Sequence, residues 1–259
     1  MTILDDILVK TKETIQRDAE QVPAELLESQ LDRCPTCLDF FSALAAGDGI
    51  NVIAEVKRAS PSAGLIREDF DPVEIAKSYV EGGASCLSVL TDEPFFQGSL
   101  EYLKSVRQAV DVPLLRKDFI VDRYQLLQAR VHGADCVLLI AECLSADELR
   151  TLHDQAIELG MQTLIELYEP SNLEAVLATG TKLVGINNRN LKTFETKLQH
   201  TLDLRPRIPN DCLVVGESGI RSNEDMKTLA AGGVKAVLVG ESLMRQPNVS
   251  RAVKELLGR

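Results

Sequence analysis

Acidic and basic side chains follow apolar stretches at several places in this 259-residue sequence. Glu55 and Lys57 end the first such stretch, Lys117 follows the third, and Glu166 and Glu217 end the fifth and the seventh. Opposite charges held close together in a partly desolvated pocket tune the pKa values that proton transfer requires. These five residues are therefore candidates for an acid–base site, and a solvated rim of salt bridges is the alternative.

A second set of residues could bind phosphate. Val215-Gly216-Glu217-Ser218 recurs as Val239-Gly240-Glu241-Ser242. Glycine lets the backbone approach an anion, and the N–H groups that open the following helix point toward it. Arg189 could add a forked donor. An ordinary turn would explain one copy, but two copies in successive units favour a phosphate site.

The apolar runs indicate how these residues are positioned. They begin near Val52, Leu87, Pro113, Asp135, Gln162, Leu183, Cys212 and Lys235. The runs are nearly continuous rather than alternating, which is typical of parallel strands covered on both faces. Eight strand–helix units in series predict an α/β fold, a single (β/α)8 TIM barrel. A doubly wound open sheet is the rival, but it gathers ligand groups at one switch point, whereas here polar residues follow many strands.

Helices between these strands have recognisable ends. Asp71-Pro72 reads as an N-cap and first residue, and Gly82-Gly83 as the stop of the same helix. Ser145-Ala146-Asp147-Glu148 resembles a capping box. Ser222-Asn223-Glu224-Asp225 opens another helix that ends at Gly232-Gly233.

The first part of the chain has helical periodicity but no strand. Ile3, Ile7 and Leu8 recur at helical spacing, as do Leu26 and Leu27. We predict one domain, with residues 1–48 as an N-terminal helical extension packed over a barrel end and residues 49–259 as the barrel. No linker or low-complexity segment separates the two parts.

Composition narrows the range of partners. The net charge of -11 argues against nucleic acid and anionic membranes, which both need a basic face. The N-terminus has no basic region followed by a long apolar one, and the longest aliphatic run, Val137 to Ala141, is too short to span a bilayer. We therefore predict a cytoplasmic protein that binds a small molecule.

Metal and nucleotide sites find no support in the motifs. His132, His153 and His200 fall in helices or at their ends, and no His/Cys cluster occurs. Cys34-Pro35-Thr36-Cys37 has no second half-site, so we interpret it as a coincidence. Neither of the glycine-rich nucleotide-binding motifs GxGxxG and GxxxxGK(S/T) is present. Glu142 is interpreted as a rim residue rather than a catalyst.

With these positions fixed, the chain closely resembles the indole-3-glycerol-phosphate synthase family over essentially its full length. The resemblance rests on Glu55–Ser62, Ser88–Asp92, Leu115–Ile120, Ile186–Leu191, Gly216–Ile220 and the leading helix around Ile3 to Ile15. It implies ring closure, decarboxylation and dehydration of 1-(2-carboxyphenylamino)-1-deoxyribulose 5-phosphate to indole-3-glycerol phosphate, in tryptophan biosynthesis. It also implies a carboxy-lyase without metal or cofactor, and a monomer.

The same resemblance implies roles for individual residues. Lys117 matches the acid that protonates the ribulose carbonyl, Lys57 its partner lysine, and Glu166 the general base or acid of the dehydration. The residues expected to orient them are Glu55, Glu217 and Asn187. The remaining expected substrate contacts are the mobile-loop residues Ser60, Pro61 and Ser62, then Phe119, and the phosphate cradle Arg189, Ser218, Gly219, Gly240 and Glu241.

At two positions the sequence does not fit the roles that the family resemblance implies. Many relatives carry a lysine where this chain has Ala63. Glu241 places a carboxylate beside the expected phosphate, so we expect its backbone N–H to be the ligand and its side chain to turn away. Two other functions stay open: a Schiff-base sugar-phosphate aldolase with Lys117 or Lys57 as nucleophile, and a non-catalytic barrel that binds a phosphometabolite.

Overall fold

Eight parallel strands form a closed ring in the computed structural model, which describes residues 3–190 and 195–259. The strands are β1 (Asn51–Val56), β2 (Cys86–Leu90), β3 (Leu114–Lys117), β4 (Cys136–Ile140), β5 (Gln162–Leu167), β6 (Leu183–Asn187), β7 (Leu213–Glu217) and β8 (Ala236–Val239). Each pairs with its neighbours in sequence, and β8 pairs with β1. The predicted TIM barrel is confirmed, and every strand begins within one residue of its predicted run.

Helices surround the ring and connect its strands. They are α1 (Ile3–Gln21), α2 (Ala24–Glu28), α3 (Phe40–Ala45), α4 (Pro72–Gly82), α5 (Glu93–Phe96), α6 (Leu100–Ala109), α7 (Arg123–Val131), α8 (Ala146–Glu158), α9 (Leu173–Ala178), α10 (Gln199–Leu204), α11 (Asn223–Ala231), α12 (Glu241–Met244) and α13 (Val249–Leu257). A short hairpin, Ala59–Ser60 with Gly64–Leu65, follows β1. Met1, Thr2 and Leu191, the last residue of one motif quoted above, lie outside the described residues.

The predicted helix ends agree with the capping geometry. The Asp71 carboxylate accepts hydrogen bonds from the N–H groups of Val73 and Glu74, at 3.0 and 3.1 Å. Gly83 ends the same helix with a φ of 100°, a left-handed conformation that glycine adopts readily. Capping boxes open α8 at Ser145 and α11 at Ser222.

The barrel wall buries both of its faces, which explains the nearly continuous apolar runs. One cluster, which includes Val52 and Tyr79, lies between the strands and the helices. A second cluster fills the ring and includes Ile53 and Leu164, together with Phe40 of α3. Successive residues of a strand face opposite sides, so one run supplies both clusters.

The N-terminal segment contacts both ends of the barrel. In α3, Phe40 and Leu44 are fully buried and pack into the N-terminal end of the ring. The hydroxyl of Tyr124, in α7, donates to the carbonyl of Val22 at 2.8 Å, which fixes the chain just after α1. The first turns of α1 border the cavity at the opposite end. Within the described ranges, no helix is both long and apolar enough to cross a membrane.

Candidate active site

A cavity of about 520 Å³ opens at the carboxyl ends of the barrel strands. Every site residue expected from the sequence borders it: Glu55, Lys57, Ser60, Pro61, Ser62, Lys117, Phe119, Glu166, Asn187, Arg189, Glu217, Ser218, Gly219, Gly240 and Glu241. This is the end of a TIM barrel where loops converge and where active sites of this fold are built.

Lys117 lies at the centre of the charged part of the cavity. Its Nζ is 3.1 Å from Glu166 Oε2 and 3.9 Å from Glu217 Oε2. Burial alone would lower the pKa of Lys117, but the surrounding carboxylates outweigh this effect and hold the pKa above its ordinary value. The ammonium group is therefore protonated at neutral pH, which suits an acid. A Schiff-base aldolase needs the neutral amine, and this environment disfavours it.

Glu166 and Glu217 share this lysine but differ in protonation. Burial opposes ionisation of Glu166, yet Lys117 and a hydrogen bond from Asn187 Nδ2 at 2.9 Å bring its pKa below the ordinary value. Burial and the charge of Glu166 raise the pKa of Glu217 well above its ordinary value. Two carboxyl groups with opposite pKa shifts beside one lysine are an arrangement suited to proton transfer.

Glu217 is accommodated by a glycine on the neighbouring strand. Its Oε1 is buried without a hydrogen-bond partner in the part of the chain that the structure describes. A Cβ atom at Gly185 would collide with this oxygen. The same relation holds between Gly240 and the carboxylate of Glu55. Both glycines therefore provide the space into which an acidic side chain turns.

Glu55 and Lys57 form a second ion pair, on β1 and just beyond it. Glu55 Oε1 contacts Lys57 Nζ directly, and the two side chains are 5% and 15% exposed. Their spacing of two residues turns both toward the cavity, as the strand period predicts. Val56, between them, belongs to the cluster that faces the helices.

Two consecutive residues with positive φ angles follow β7. Ser218 and Gly219 have φ angles of 64° and 82°. Consecutive residues of unusual conformation can form an anion-binding concavity, and Ser218 is one of the few residues other than glycine in this region. Asn188 Nδ2 donates to the Ser218 carbonyl at 3.2 Å, which supports the conformation.

Arg189 and the loop after β1 meet at this end of the cavity. Arg189 Nη1 donates to Ser62 Oγ at 2.9 Å, and Arg189 N donates to Asn187 Oδ1 at 3.0 Å. The carboxylate of Glu241 lies 3.9 Å from Arg189 Nη2 and is held by Arg245 Nη2 at 2.9 Å. The carboxylate is thus neutralised by arginine. That a phosphate would meet the backbone N–H of Glu241 stays a prediction.

Apolar residues make up much of the remaining lining, and sequence reasoning missed most of them. The polar residues beyond the predicted set are Asp118, Thr196, Arg221, Ser242, Arg245 and Gln246. Ile3, Leu4 and Ile7 come from α1, which is far from the strands in sequence. Phe96 borders the cavity beside Phe119, with ring centroids 6.2 Å apart. Helical periodicity gave no signal that one face of α1 borders a cavity rather than a core. The resulting surface suits an aromatic ring.

Other polar residues near the strand ends have structural roles. Glu142 Oε1 accepts hydrogen bonds from the N–H groups of Tyr168 and Glu169, both at 2.9 Å. His200 Nε2 donates to the Tyr168 carbonyl at 2.8 Å, and the two rings stack with their centroids 4.5 Å apart. Cys34 and Cys37 are free thiols outside the cavity. Among the described residues, no group of three or more His, Cys, Asp or Glu side chains could hold a metal ion.

Solved structures of low sequence identity share the fold. A 3-hexulose-6-phosphate synthase from Salmonella typhimurium aligns with a TM-score of 0.65 at 11% identity, over 81% of this chain and 97% of that one. A thiamine phosphate pyrophosphorylase from Pyrococcus furiosus gives a TM-score of 0.59 at 17% identity, over 81% and 94%. At these identities the likeness concerns the barrel alone.

Sequence comparison is more specific. The family profile described as indole-3-glycerol phosphate synthase matches residues 4–256. An indole-3-glycerol phosphate synthase of Rhodopirellula baltica is 68% identical over 257 residues, covering 99% of each chain. Another, from Acetivibrio thermocellus, is 46% identical over 255 residues and 98% of each chain. A profile match along nearly the whole chain, with relatives of this identity over their full length, shows that the chain belongs to the indole-3-glycerol phosphate synthase family.

Proposed function

We propose that Lys117 is the general acid of a ring closure that takes place in the barrel mouth. Membership of the family makes the enzyme a carboxy-lyase of tryptophan biosynthesis, and the proposal concerns which residues carry out each step. The substrate is 1-(2-carboxyphenylamino)-1-deoxyribulose 5-phosphate. The observation that carries the assignment is the Lys117 ammonium, 3.1 Å from Glu166 and 3.9 Å from Glu217 in a largely buried pocket.

In the first step, the ring carbon that bears the carboxylate forms a bond with the ribulose carbonyl carbon. The carbonyl oxygen takes the proton of Lys117 and becomes a hydroxyl group. Although its pKa is raised, the ammonium can give up this proton because the developing alkoxide is a much stronger base. The bond to the carboxylate then breaks, carbon dioxide leaves, and the electron pair neutralises the iminium formed by closure.

The last step removes water from the ring-closed product. Glu166, ionised at neutral pH, takes a proton from the carbon next to nitrogen, and Lys57 donates one to the departing hydroxyl. Glu55, Glu217 and Asn187 orient these groups, and the contacts Glu55–Lys57 and Asn187–Glu166 support this role. Acid–base groups of this kind contribute about 10²- to 10⁴-fold each.

The remaining predicted contacts divide between the two ends of the substrate. Phe119 and the apolar lining receive the aromatic ring. The phosphate lies against Arg189, Ser218, Gly219, Gly240 and the backbone of Glu241. Ser60 and Ser62 belong to the loop that covers the ligand, and the bond between Ser62 and Arg189 supports such a closure.

Product fluorescence tests this proposal directly. The chain contains no tryptophan, so indole fluorescence that appears on mixing with the substrate reports the product. We expect Lys117→Ala to lower kcat by about 10²- to 10⁴-fold. Lys227→Ala removes an exposed lysine of α11 and should leave kcat within about twofold. Full turnover by Lys117→Ala would overturn the assignment.

Oligomeric state and location are further parts of the proposal. The family resemblance supports a monomer that acts in the cytoplasm, without a nucleic-acid or membrane partner. Light scattering from the purified protein should then give the mass of one chain at all concentrations tested. A mass that rises to that of two chains would contradict the monomer.

A further inference from the structure

One arginine is buried behind the cavity, on the face of β3 that points to the helices. Arg116 is 3% exposed, and its guanidinium donates to side chains or carbonyls on three sides. Nε donates to Thr91 Oγ1 and Nη2 to Asp118 Oδ2, both at 3.0 Å. Nη1 donates to the Gln125 carbonyl at 2.5 Å and to Gln128 Oε1 at 3.4 Å. A buried ion pair is weak grounds for a stabilising role, because desolvation offsets much of the attraction.

The position of this network along the chain points to a different role. Arg116 and Asp118 are the residues on either side of Lys117. Thr91 Oγ1 also donates to the Asp118 carboxylate, and Thr91 N donates to the Lys117 carbonyl at 3.1 Å. The Lys117 carbonyl is therefore bound by the backbone of Thr91, and the side chains of the two residues that flank Lys117 are bound to each other and to Thr91. The side chain of Lys117 itself points into the cavity.

The network continues to Phe119. Asp118 Oδ1 accepts from the N–H of Phe119 at 2.9 Å, and Gln125 Nε2 donates to the Phe119 carbonyl at 3.0 Å. Gln125 is also the residue whose carbonyl binds Arg116. The buried Arg116 guanidinium is thus part of one hydrogen-bond network that holds the chain around both Lys117 and Phe119, which line the cavity.

A last contact reaches the N-terminal helix. Gln128 accepts from Arg116 through Oε1 and donates through Nε2 to Asp18 Oδ2 at 3.2 Å. Asp18 belongs to α1, whose first turns border the cavity. The network therefore lies between the part of α1 that is fixed on α7 and the end of β3.

We propose that Arg116 is a positioning residue for the reaction, which fixes the backbone on both sides of Lys117 so that its ammonium group is aligned for proton transfer. The inference rests on the proposed role of Lys117 as the general acid. Reacting groups must be within a fraction of an ångström of their productive geometry, and a displacement of 1 Å can cost about 10²-fold in rate. Arg116 does not touch the cavity, so it acts through its neighbour.

The chain offers a matched control at the other end of the same strand. Arg107 Nη1 binds Asp135 Oδ2 at 2.9 Å, and Asp135 Oδ2 accepts from the N–H of Leu114, the first residue of β3, at 2.8 Å. Both arginines are thus partly or wholly buried, paired with an aspartate and attached to β3. Only Arg116 is next to Lys117.

The test compares Arg116→Met with Arg107→Met in the full chain. Turnover is followed by product fluorescence, and urea unfolding gives the folded fraction. Both variants should lose stability. We expect kcat of folded Arg116→Met to fall by about 10- to 100-fold, with a smaller change in KM and a larger solvent deuterium isotope effect on kcat. Arg107→Met should keep kcat within about twofold and its isotope effect unchanged.

Equal kcat values for the two folded variants would overturn the proposal. If Arg116→Met does not fold, Arg116→Lys replaces it, because a lysine can keep the pair with Asp118 while losing the bonds to Gln125 and Gln128. A kcat about three- to tenfold below the parent is then expected, and an unchanged kcat overturns the proposal. A Lys117→Ala variant that retains turnover rejects the proposed role of Lys117. Loss in Lys117→Ala without loss in Arg116→Met rejects only the positioning role.

Discussion

The two ends of the barrel interior are filled by opposite kinds of side chain on the same strands. At the N-terminal end, Ile53 and Leu164 belong to the apolar cluster that contains Phe40 of α3. Two residues further along these strands, the inward positions are occupied by Glu55 and Glu166. One step of the two-residue strand period therefore separates the apolar interior from the charged one.

The difference shows where stability and activity reside. Buried apolar side chains contribute favourable transfer free energy, whereas buried charges are costly unless they are paired. Glu217 is an example of this cost, because burial and the charge of Glu166 raise its pKa well above the ordinary value and its Oε1 has no hydrogen-bond partner among residues 3–190 and 195–259. Substitutions at the two ends should therefore have opposite signatures in kinetics and in unfolding.

The largest effect on kcat is expected for a substitution at the charged end of the barrel interior. Glu166→Gln keeps the shape of the side chain and can retain the hydrogen bond with Asn187, but it removes the ionised carboxylate. We expect kcat to fall by about 10²- to 10⁴-fold. The free energy of unfolding should fall by only about 1–3 kcal/mol, because a charged acceptor is exchanged for a neutral one. Steady-state product fluorescence and urea unfolding measure the two quantities.

Glu142→Gln is the matched control for that substitution, on the loop directly after β4. The carboxylate of Glu142 accepts hydrogen bonds from backbone N–H groups of the loop after β5 and does not border the cavity. We expect kcat within about twofold and a loss of about 1–3 kcal/mol in unfolding free energy, since charged acceptors are exchanged for neutral ones. Equal kinetic losses in both variants would mean that Glu166 has no special role.

A second test addresses the apolar end. Phe40→Ala removes a fully buried ring from α3 and leaves a cavity at the base of the barrel. We expect the free energy of unfolding to fall by about 3–5 kcal/mol. The kcat of the folded fraction should stay within about twofold, and a loss of tenfold or more would show that the two ends are coupled. Phe41→Ala, at a half-buried neighbour, should lose less stability.

The smallest expected effect is on the pH dependence of stability. It comes from a carboxyl group near the mouth of the barrel whose uncharged form is favoured by burial. Burial, then the charge of Asp118, raises the pKa of Asp92 to about 6, although the N–H groups of Phe95 and Phe96 oppose this shift. The folded state therefore binds this proton more tightly than the unfolded state, so the contribution of Asp92 to stability decreases as pH rises from about 4 to about 6.

Asp92→Asn isolates that contribution, because asparagine is also a good N-cap for α5. Relative to the parent, the variant should gain stability as pH rises through this window and be about 1–3 kcal/mol more stable at pH 7. Urea unfolding of both proteins between pH 4 and pH 7 measures the difference. A difference that does not depend on pH would contradict the raised pKa.

Local chemistry accounts for what could be predicted from the sequence. Strand runs, the caps at Asp71, Ser145 and Ser222, and charges at strand ends are all properties of neighbouring residues, so they were identified in the sequence. The roles of Lys117 and its neighbours came from the family resemblance and stay proposals.

Features that depend on distant parts of the chain could not be predicted. The place of Ile3 and Ile7 in the cavity wall follows from how α1 packs on α7. Gly185 is needed because Glu217, on another strand, turns into the space above it. The pairing of Arg245 with Glu241 is at helical spacing, and that signal could have been found.

The pairing of β1 with β8 has a consequence for the synthesis of the chain on the ribosome. The register pairs Asn51 with Ala236 and Ala54 with Val239, so β1 has only one possible neighbour until almost the whole chain has left the ribosome. At about 5–20 residues per second, this interval lasts roughly ten to forty seconds. During it, an apolar strand has an unpaired edge, the kind of surface that promotes aggregation. Glu55 and Lys57 lie beyond this register, so the edge that β8 finally covers, residues 51–54, has no charged residue of its own to discourage such pairing.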